Sequence, residues 1–279
     1  MSPPSTLLLG LSGPSSSGKT TLARLLRDIL NSAPASSSSP SSSSPPSPTS
    51  PPPAFILHLD DFYKTDSEIP LTPMGLPDWD CLESLDLPRF LSALKYIKTH
   101  GAPPPDLVSI QDGNAVGPSG VDDAVVERLK AELGEGGGMA KLGQVLREGG
   151  MRVCIIDGFL LFSEEMQKEG VREMFDLRLF LRAPYAVAKK RREERQGYVT
   201  LEGFWADPPG YVDDVVWPNY VKDHGFLFRG GNVDGEFDAE VLERCGIRGM
   251  PAEAEGDMTK CLEWAWRIVG EEIGKRTAG

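Results

Sequence analysis

The residues with the clearest chemistry are Gly13-Pro14-Ser15-Ser16-Ser17-Gly18-Lys19-Thr20-Thr21. Two glycines at this spacing let the backbone curl so that successive N–H groups point inward. They lie at the positive end of the helix that follows, which makes a cradle for phosphate oxygens. Lys19 supplies a mobile positive charge for the outer phosphates, and the Thr20 hydroxyl is placed to hold Mg²⁺. Further groups suit phosphate chemistry. Asp60-Asp61-Phe62-Tyr63 closes one apolar run and Asp157-Gly158 closes another. Carboxylates at strand ends lie where open α/β sheets place their ligands, and Asp157 is the expected outer-sphere partner of Mg²⁺ or part of an acceptor pocket. Arg191 and Arg195, four apart in a basic cluster that begins at Lys189, share a helix face. An arginine clamp over transferring phosphates requires that arrangement. Trp79-Asp80 sets an aromatic beside a carboxylate on a loop; the pair reads equally as a binding wall or as a packing tryptophan next to a solvated acid.

The elements that must position these groups follow from hydrophobic spacing. Leu7 to Leu11 is a buried strand, and Leu22, Leu25, Leu26, Ile29 and Leu30 give the next helix its apolar side. Ala54 to Leu59 reads as a parallel strand in which His58 is a packing residue. Asp86-Leu87-Pro88 has the pattern of a helix cap with proline in the first turn. Helices are predicted over 122–133, 139–148, 164–174 and 257–275, with Cys261, Leu262, Ala265, Ile268 and Val269 as the buried side of the last. Strands are predicted over 152–158 and 177–182, and the basic cluster falls on a helix that begins after Pro184. Residues 197–210, with Tyr198, Phe204 and Trp205, form the tip of a closing lid. The expected fold class is α/β: a doubly wound parallel sheet of the P-loop kinase type with a helical lid, in one domain over 1–279. Two insertions interrupt it. Residues 31–53, almost wholly Ser, Pro, Ala and Thr, cannot bury enough apolar surface to offset their ordering entropy and are expected to be disordered. Their four Ser-Pro pairs, at Ser39, Ser44, Ser47 and Ser50, are candidate phosphorylation sites. The second insertion, at about 101–150, is rich in Pro, Gly and acids and shows no chemistry.

Composition narrows the functional classes. A net charge of −12 in 279 residues argues against a nucleic-acid or membrane partner, since either needs a basic face. Cys81, Cys154, Cys245 and Cys261 lack the spacing of a zinc site or a disulfide framework. The short first apolar run lacks a basic flank and flows into the loop, so it is not a signal peptide. A cytoplasmic protein, monomeric or a small homo-oligomer, is expected.

A phosphate loop, strand-end acids, an arginine-rich helix and a lid together describe a P-loop kinase that uses ATP and Mg²⁺. The N-K-x-D motif of GTPases is missing, as are the H-R-D and D-F-G motifs of protein kinases. Residues 10–22, Asp60-Asp61-Phe62-Tyr63-Lys64, Ser67-Glu68-Ile69, Trp79-Asp80-Cys81-Leu82-Glu83-Ser84-Leu85, Ile155-Ile156-Asp157-Gly158-Phe159-Leu160-Leu161-Phe162, Lys190-Arg191-Arg192, Pro209-Gly210-Tyr211 and Trp217-Pro218 carry, in that order, a resemblance. The chain resembles the nicotinamide riboside kinases, within the uridine kinase-like group. The resemblance implies transfer of the ATP γ-phosphoryl to the 5′-hydroxyl of nicotinamide riboside, and of nicotinic acid riboside as a further candidate, in NAD salvage. It makes Asp60 the proton acceptor near Mg²⁺, with Asp61, Phe62 and Tyr63 beside it in the acceptor site. Asp80 becomes the ribose reader and Trp79 one wall of the pyridine slot. An aromatic face suits a pyridinium cation, at about 0.5–2 kcal/mol. Arg191, Arg192 and Arg195 become lid contacts to phosphates and substrate, and residues 245–251 the adenine loop. The resemblance departs at Asp157, where relatives carry Glu. It departs again at Gly197, which precedes Tyr198, the expected second ring wall. Two other readings stand beside it: a uridine/cytidine kinase, and an ATP-binding regulatory protein without turnover.

Overall fold

The structure, a computed structural model, describes residues 5–33, 52–111, 117–195 and 197–278. The expected disorder and phosphorylation of the Ser/Pro stretch therefore concern residues that, but for its two ends, lie outside the described ones. Its ends do not. Asn31 donates to the Ala54 carbonyl at 3.0 Å and accepts from the Ala54 N–H at 2.8 Å. The two ends of the insertion are thus tied together, and closing a loop between ends already held close costs little more as the loop lengthens.

In chain order, β1 (Ser5–Ser12) leads through the phosphate loop to α1 (Lys19–Asn31), followed by β2 (Ala54–His58) and α2 (Leu87–His100). Then come α3 (Asp123–Ala131), α4 (Ala140–Arg147), β3 (Met151–Asp157), α5 (Glu164–Lys168) and β4 (Leu177–Phe180). The lid region holds α6 (Tyr185–Glu193) and a hairpin of β5 (Tyr198–Val199) and β6 (Phe204–Trp205). The chain closes with α7 (Trp217–His224), α8 (Ala239–Cys245), β7 (Ile247–Gly249) and α9 (Met258–Ala278).

Five strands form a parallel sheet in the order β2-β3-β1-β4-β7. After β1 the chain builds to one side, and after β3 it crosses to the other, so the end of β1 is the topological switch point where such sheets bind ligands. The strands are apolar on both faces because both are covered. Leu7, Leu9, Leu11, Val153 and Ile155 pack under α1, α3, α4 and α9. Leu8, Cys154 and Ile156 pack with Phe90 and Leu94 of α2 and with Phe162. Gly10 is the gap in that second face: a Cβ there would stand 2.9 Å from the Phe162 ring. This is the expected doubly wound α/β architecture.

Local boundaries differ from expectation for physical reasons. Asp86 accepts the Arg89 N–H at 3.0 Å and starts α2 as its capping pattern predicts. The helix predicted over 164–174 instead stops at Lys168, because Gly170 turns left-handed (φ 75°) before a short 3₁₀ turn. The lid tip is a hairpin, with Tyr198 paired to Trp205. β7 went unseen because two residues between glycines carry no alternation, and it occupies much of the segment expected as the adenine loop. No helix among the described residues is long and apolar enough to cross a membrane.

Candidate active site

The phosphate loop is shaped by two backbone positions that exclude side chains. Gly13 has φ 144°, and a Cβ there would lie 2.4 Å from the Leu181 carbonyl oxygen. Gly18 is left-handed at φ 96° and opens α1 without any side-chain cap, which leaves the first N–H groups of the helix for an anion. Lys19 Nζ donates to the Gly13 carbonyl at 3.0 Å and to the Pro14 carbonyl at 2.8 Å, so it lies folded over the loop. Burial pushes its ammonium down to about 8, against the pull of Asp60 and Asp157. The hydroxyls of Ser12, Ser16 and Ser17 are buried without partners.

Strand register assembles the acids. His58 ends β2 directly opposite Asp157 at the end of β3, and its Nδ1 meets Asp157 Oδ1 at 2.6 Å. Thr20 Oγ1 donates to Asp157 Oδ2 at 2.5 Å. Burial disfavours the Asp157 charge, but the bonds from His58 and Thr20 outweigh it and hold the carboxyl below its usual range. Burial likewise opposes a charge on His58, yet the hydrogen bond it donates to Asp157 raises its pKa overall. His58 is therefore the hydrogen-bonded partner of a strand-end carboxylate, in contrast to the packing role expected of it. Two residues on, burial and Asp157 push Asp60 up to about 6, against Lys19 and His58. Among the described residues no group of three His, Cys, Asp or Glu side chains could hold a metal ion. Two carboxylates and the Thr20 hydroxyl suit an ion that keeps most of its own waters, as Mg²⁺ does.

Other expected site residues are engaged elsewhere. Asp61 accepts the Ile110 N–H at 2.9 Å, so its carboxylate anchors the insertion that the sequence left without a role. Phe62 is fully buried, edge-on to Phe90 at 5.1 Å, and belongs to the core. Arg192, expected as a substrate contact, forks onto Asp80 at 2.7 and 2.9 Å and onto Asp207 at 2.6 and 3.2 Å. Although burial works against its charge, two carboxylates hold the guanidinium firmly protonated. Burial pushes the Asp80 carboxyl up while Arg192 pulls it down. As found, the Asp80 carboxylate is thus bound by the lid.

The remaining arginines flank the loop. Arg191 Nη1 donates to the Ser16 carbonyl at 3.4 Å. Arg195 lies beyond the end of α6, so a shared helix face does not align it with Arg191. Its guanidinium sits 4.5 Å over the Tyr198 ring, and its charge reaches Lys19 and Asp60. Trp79 is buried edge-on to Tyr63 at 5.4 Å, and the Trp205 ring lies tilted against it at 5.9 Å. Tyr198, expected as the second wall, is occupied by arginines: Arg192 at 5.1 Å joins Arg195 over its ring. Trp205 Nε1 donates to Asp207 at 2.8 Å, which ties the hairpin to the arginine fork. Asp207 and Trp205 were missed because nothing local marks them; they meet Asp80 and Trp79 only through the fold. A roomier cavity of about 590 Å³, bounded by Leu142, Trp266 and Ile273, contains none of these groups.

The sequence is 37% identical over 232 residues to nicotinamide riboside kinase of Schizosaccharomyces pombe, covering 83% of this chain and 84% of that one. The chain belongs to the nicotinamide riboside kinase family. The nicotinamide riboside kinase of Saccharomyces cerevisiae is 34% identical over 267 residues, covering 94% of this chain and 95% of its own. Nicotinamide riboside kinase 2 of Mus musculus is 28% identical over 225 residues, covering 77% and 78%. No protein-family model matches the sequence. As a nicotinamide riboside kinase family member, the chain is a kinase.

Proposed function

We propose that this protein transfers the γ-phosphoryl group of ATP to the 5′-hydroxyl of nicotinamide riboside, giving the mononucleotide in NAD salvage. The observation that carries the reading is the meeting of Lys19, the Thr20–Asp157 pair and Asp60 at one end of β1, in a chain whose relatives are named for this reaction. Asp60 accepts the proton of the attacking 5′-hydroxyl. With its carboxyl near 6 it is ionised at neutral pH while remaining a useful base, the balance that general-base catalysis favours. Lys19 leaves the Gly13 and Pro14 carbonyls for phosphate oxygens, joined by the loop N–H groups and the free serine hydroxyls. Arg191 and Arg195 close over the transferring group from the lid. Thr20, Asp157 and Asp60 would hold Mg²⁺, which neutralises charge on the phosphates when bound.

Trp79 supplies one face for the pyridinium ring, and Asp80 takes the ribose hydroxyls by sharing with Arg192 the lone pairs a carboxylate has to spare. Nicotinic acid riboside fits the same ring slot and is a second candidate acceptor. We place the protein in the cytoplasm as a monomer or small homo-oligomer, acting on small molecules.

The test is ADP release by purified protein with ATP and, separately, nicotinamide riboside, nicotinic acid riboside, uridine, cytidine and no acceptor. Turnover confined to the pyridine ribosides is expected. Turnover with uridine or cytidine would place the acceptor site with the uridine kinases, and ATP binding without any turnover would make the protein a regulatory one.

A further inference from the structure

α7 presents one face to the phosphate loop, and that face carries polar groups the chemistry above does not use. Val216, Tyr220, Asp223 and His224 fall at i, i+4, i+7 and i+8, and all four line a small cavity. Pro14 and Ser15 of the loop, Asp80, and the apolar Phe159 and Leu160 form its other walls. The turn that leads into α7, Val212–Val216, is wound as a π-helix, a distortion that often marks functional positions.

Two of the groups on this face lack good partners. His224 is 1% exposed and its ring nitrogens make no well-formed hydrogen bond, with only the Tyr220 backbone in weak reach of the ring, while the Tyr220 hydroxyl beside it is unpartnered. Burial drives the His224 imidazole down to about 3, against a slight opposite pull from the Tyr220 backbone, so the ring is neutral. A neutral imidazole carries one donor and one acceptor. A ring nitrogen left without a good partner in a core loses its hydration uncompensated, and such a group calls for an explanation. The cavity, at about 10 Å³, scarcely holds one water. Packing does not need the nitrogens either: the ring lies among apolar and aromatic neighbours, 5.2 Å from Phe180 and 5.2 Å from Tyr220, where a phenyl group would serve as well.

The position of the cavity identifies what it would receive. Asp80, which the proposed function assigns to the ribose hydroxyls, is one wall of this cavity, so a sugar held by Asp80 would stand next to the His224 side of it. A sugar hydroxyl both donates and accepts, which matches a neutral imidazole. We propose that His224 is a substrate-contacting residue that hydrogen-bonds a ribose hydroxyl of the acceptor nucleoside, with the Tyr220 hydroxyl as a weaker second contact. The inference rests on the nucleoside-kinase reading and adds to it a wall that comes from α7.

The experiment compares wild type, His224→Phe and His224→Asn by initial rates with ATP and nicotinamide riboside, by calorimetric binding of the riboside alone, and by melting temperature. His224→Phe should keep or raise the melting temperature, because it removes two unmet polar atoms from the interior. It should raise KM and Kd for the riboside roughly 5–20-fold and leave KM for ATP within about twofold. His224→Asn, with one donor and one acceptor on a smaller side chain, should recover part of the loss. Wild type should bind either the 2′-deoxy or the 3′-deoxy riboside more weakly than the riboside, and His224→Phe should distinguish that analogue less, Asp80 remaining as a reader of the hydroxyls. Unchanged riboside binding in both variants would overturn the proposal, as would a loss that falls on ATP instead. If wild type turns over uridine and not nicotinamide riboside, the acceptor assignment fails; the same measurements with uridine then decide the sugar contact separately.

Discussion

The phosphate-loop side and the lid side of this site are built differently. On the loop side the backbone does the positioning: Gly13 and Gly18 set the curl, and strand register brings His58 and Asp157 together. On the lid side, side chains do it. Arg192 of α6 grips Asp80, 112 residues away in sequence, and Asp207, and through Trp205 it draws the hairpin in. A backbone cradle is fixed before any ligand arrives. An arginine fork can exchange one carboxylate lone pair for a substrate hydroxyl and still remain closed. The loop side should therefore set catalytic rate and ATP affinity, and the lid side should set acceptor affinity.

The largest test of that division is Lys19→Met. It removes the charge folded over the loop while relieving the cost of burying it, so the protein should stay folded and lose roughly 10³-fold or more in turnover. Initial rates together with a melting curve read both effects; a loss below about tenfold would mean that the loop is not the catalytic half.

Arg192→Lys tests the lid. A point charge cannot make the fork onto Asp80 and Asp207, so acceptor KM should rise by roughly 10-fold while ATP affinity, read by calorimetry, stays within about twofold. A loss of ATP affinity instead would place Arg192 at the phosphates and erase the distinction between the two sides.

The same contrast explains what was legible in the sequence. The loop, the strand-end acids and the β1–α1 unit are encoded in contiguous residues, and they stand where their spacing puts them. The lid side depends on meetings between distant segments. Asp207 and Trp205 show no local pattern, and Phe62 and Asp61 sat in a telling motif yet turn inward, to Phe90 and to Ile110. His58 looked like an apolar strand residue because its partner, Asp157, comes from another strand. Arg195 was aligned with Arg191 by helical periodicity, but α6 ends before it.

The smallest effect is on pH dependence. Asp60 must be ionised to accept a proton and its carboxyl lies near 6, so kcat/KM for the riboside should fall about tenfold per unit below that value. Lys19 must be protonated to meet phosphate and lies near 8, so kcat/KM for ATP should decline above it. The maximum lies between, with about half the activity lost at each edge. Asp60→Glu, which moves the carboxyl away from Asp157, should shift the acid limb and not the basic one, and a shift of the basic limb alone would reverse the assignments.

The most direct test of the central claim is a paired measurement on Asp60→Asn: ATP affinity by calorimetry, and phosphoryl transfer to nicotinamide riboside in a single turnover. The amide keeps the shape of the site and removes its proton acceptor. ATP affinity within about threefold of wild type, with transfer slowed by at least ~10²-fold, is the predicted result. Transfer at the wild-type rate would contradict it and leave the attacking hydroxyl to some other base.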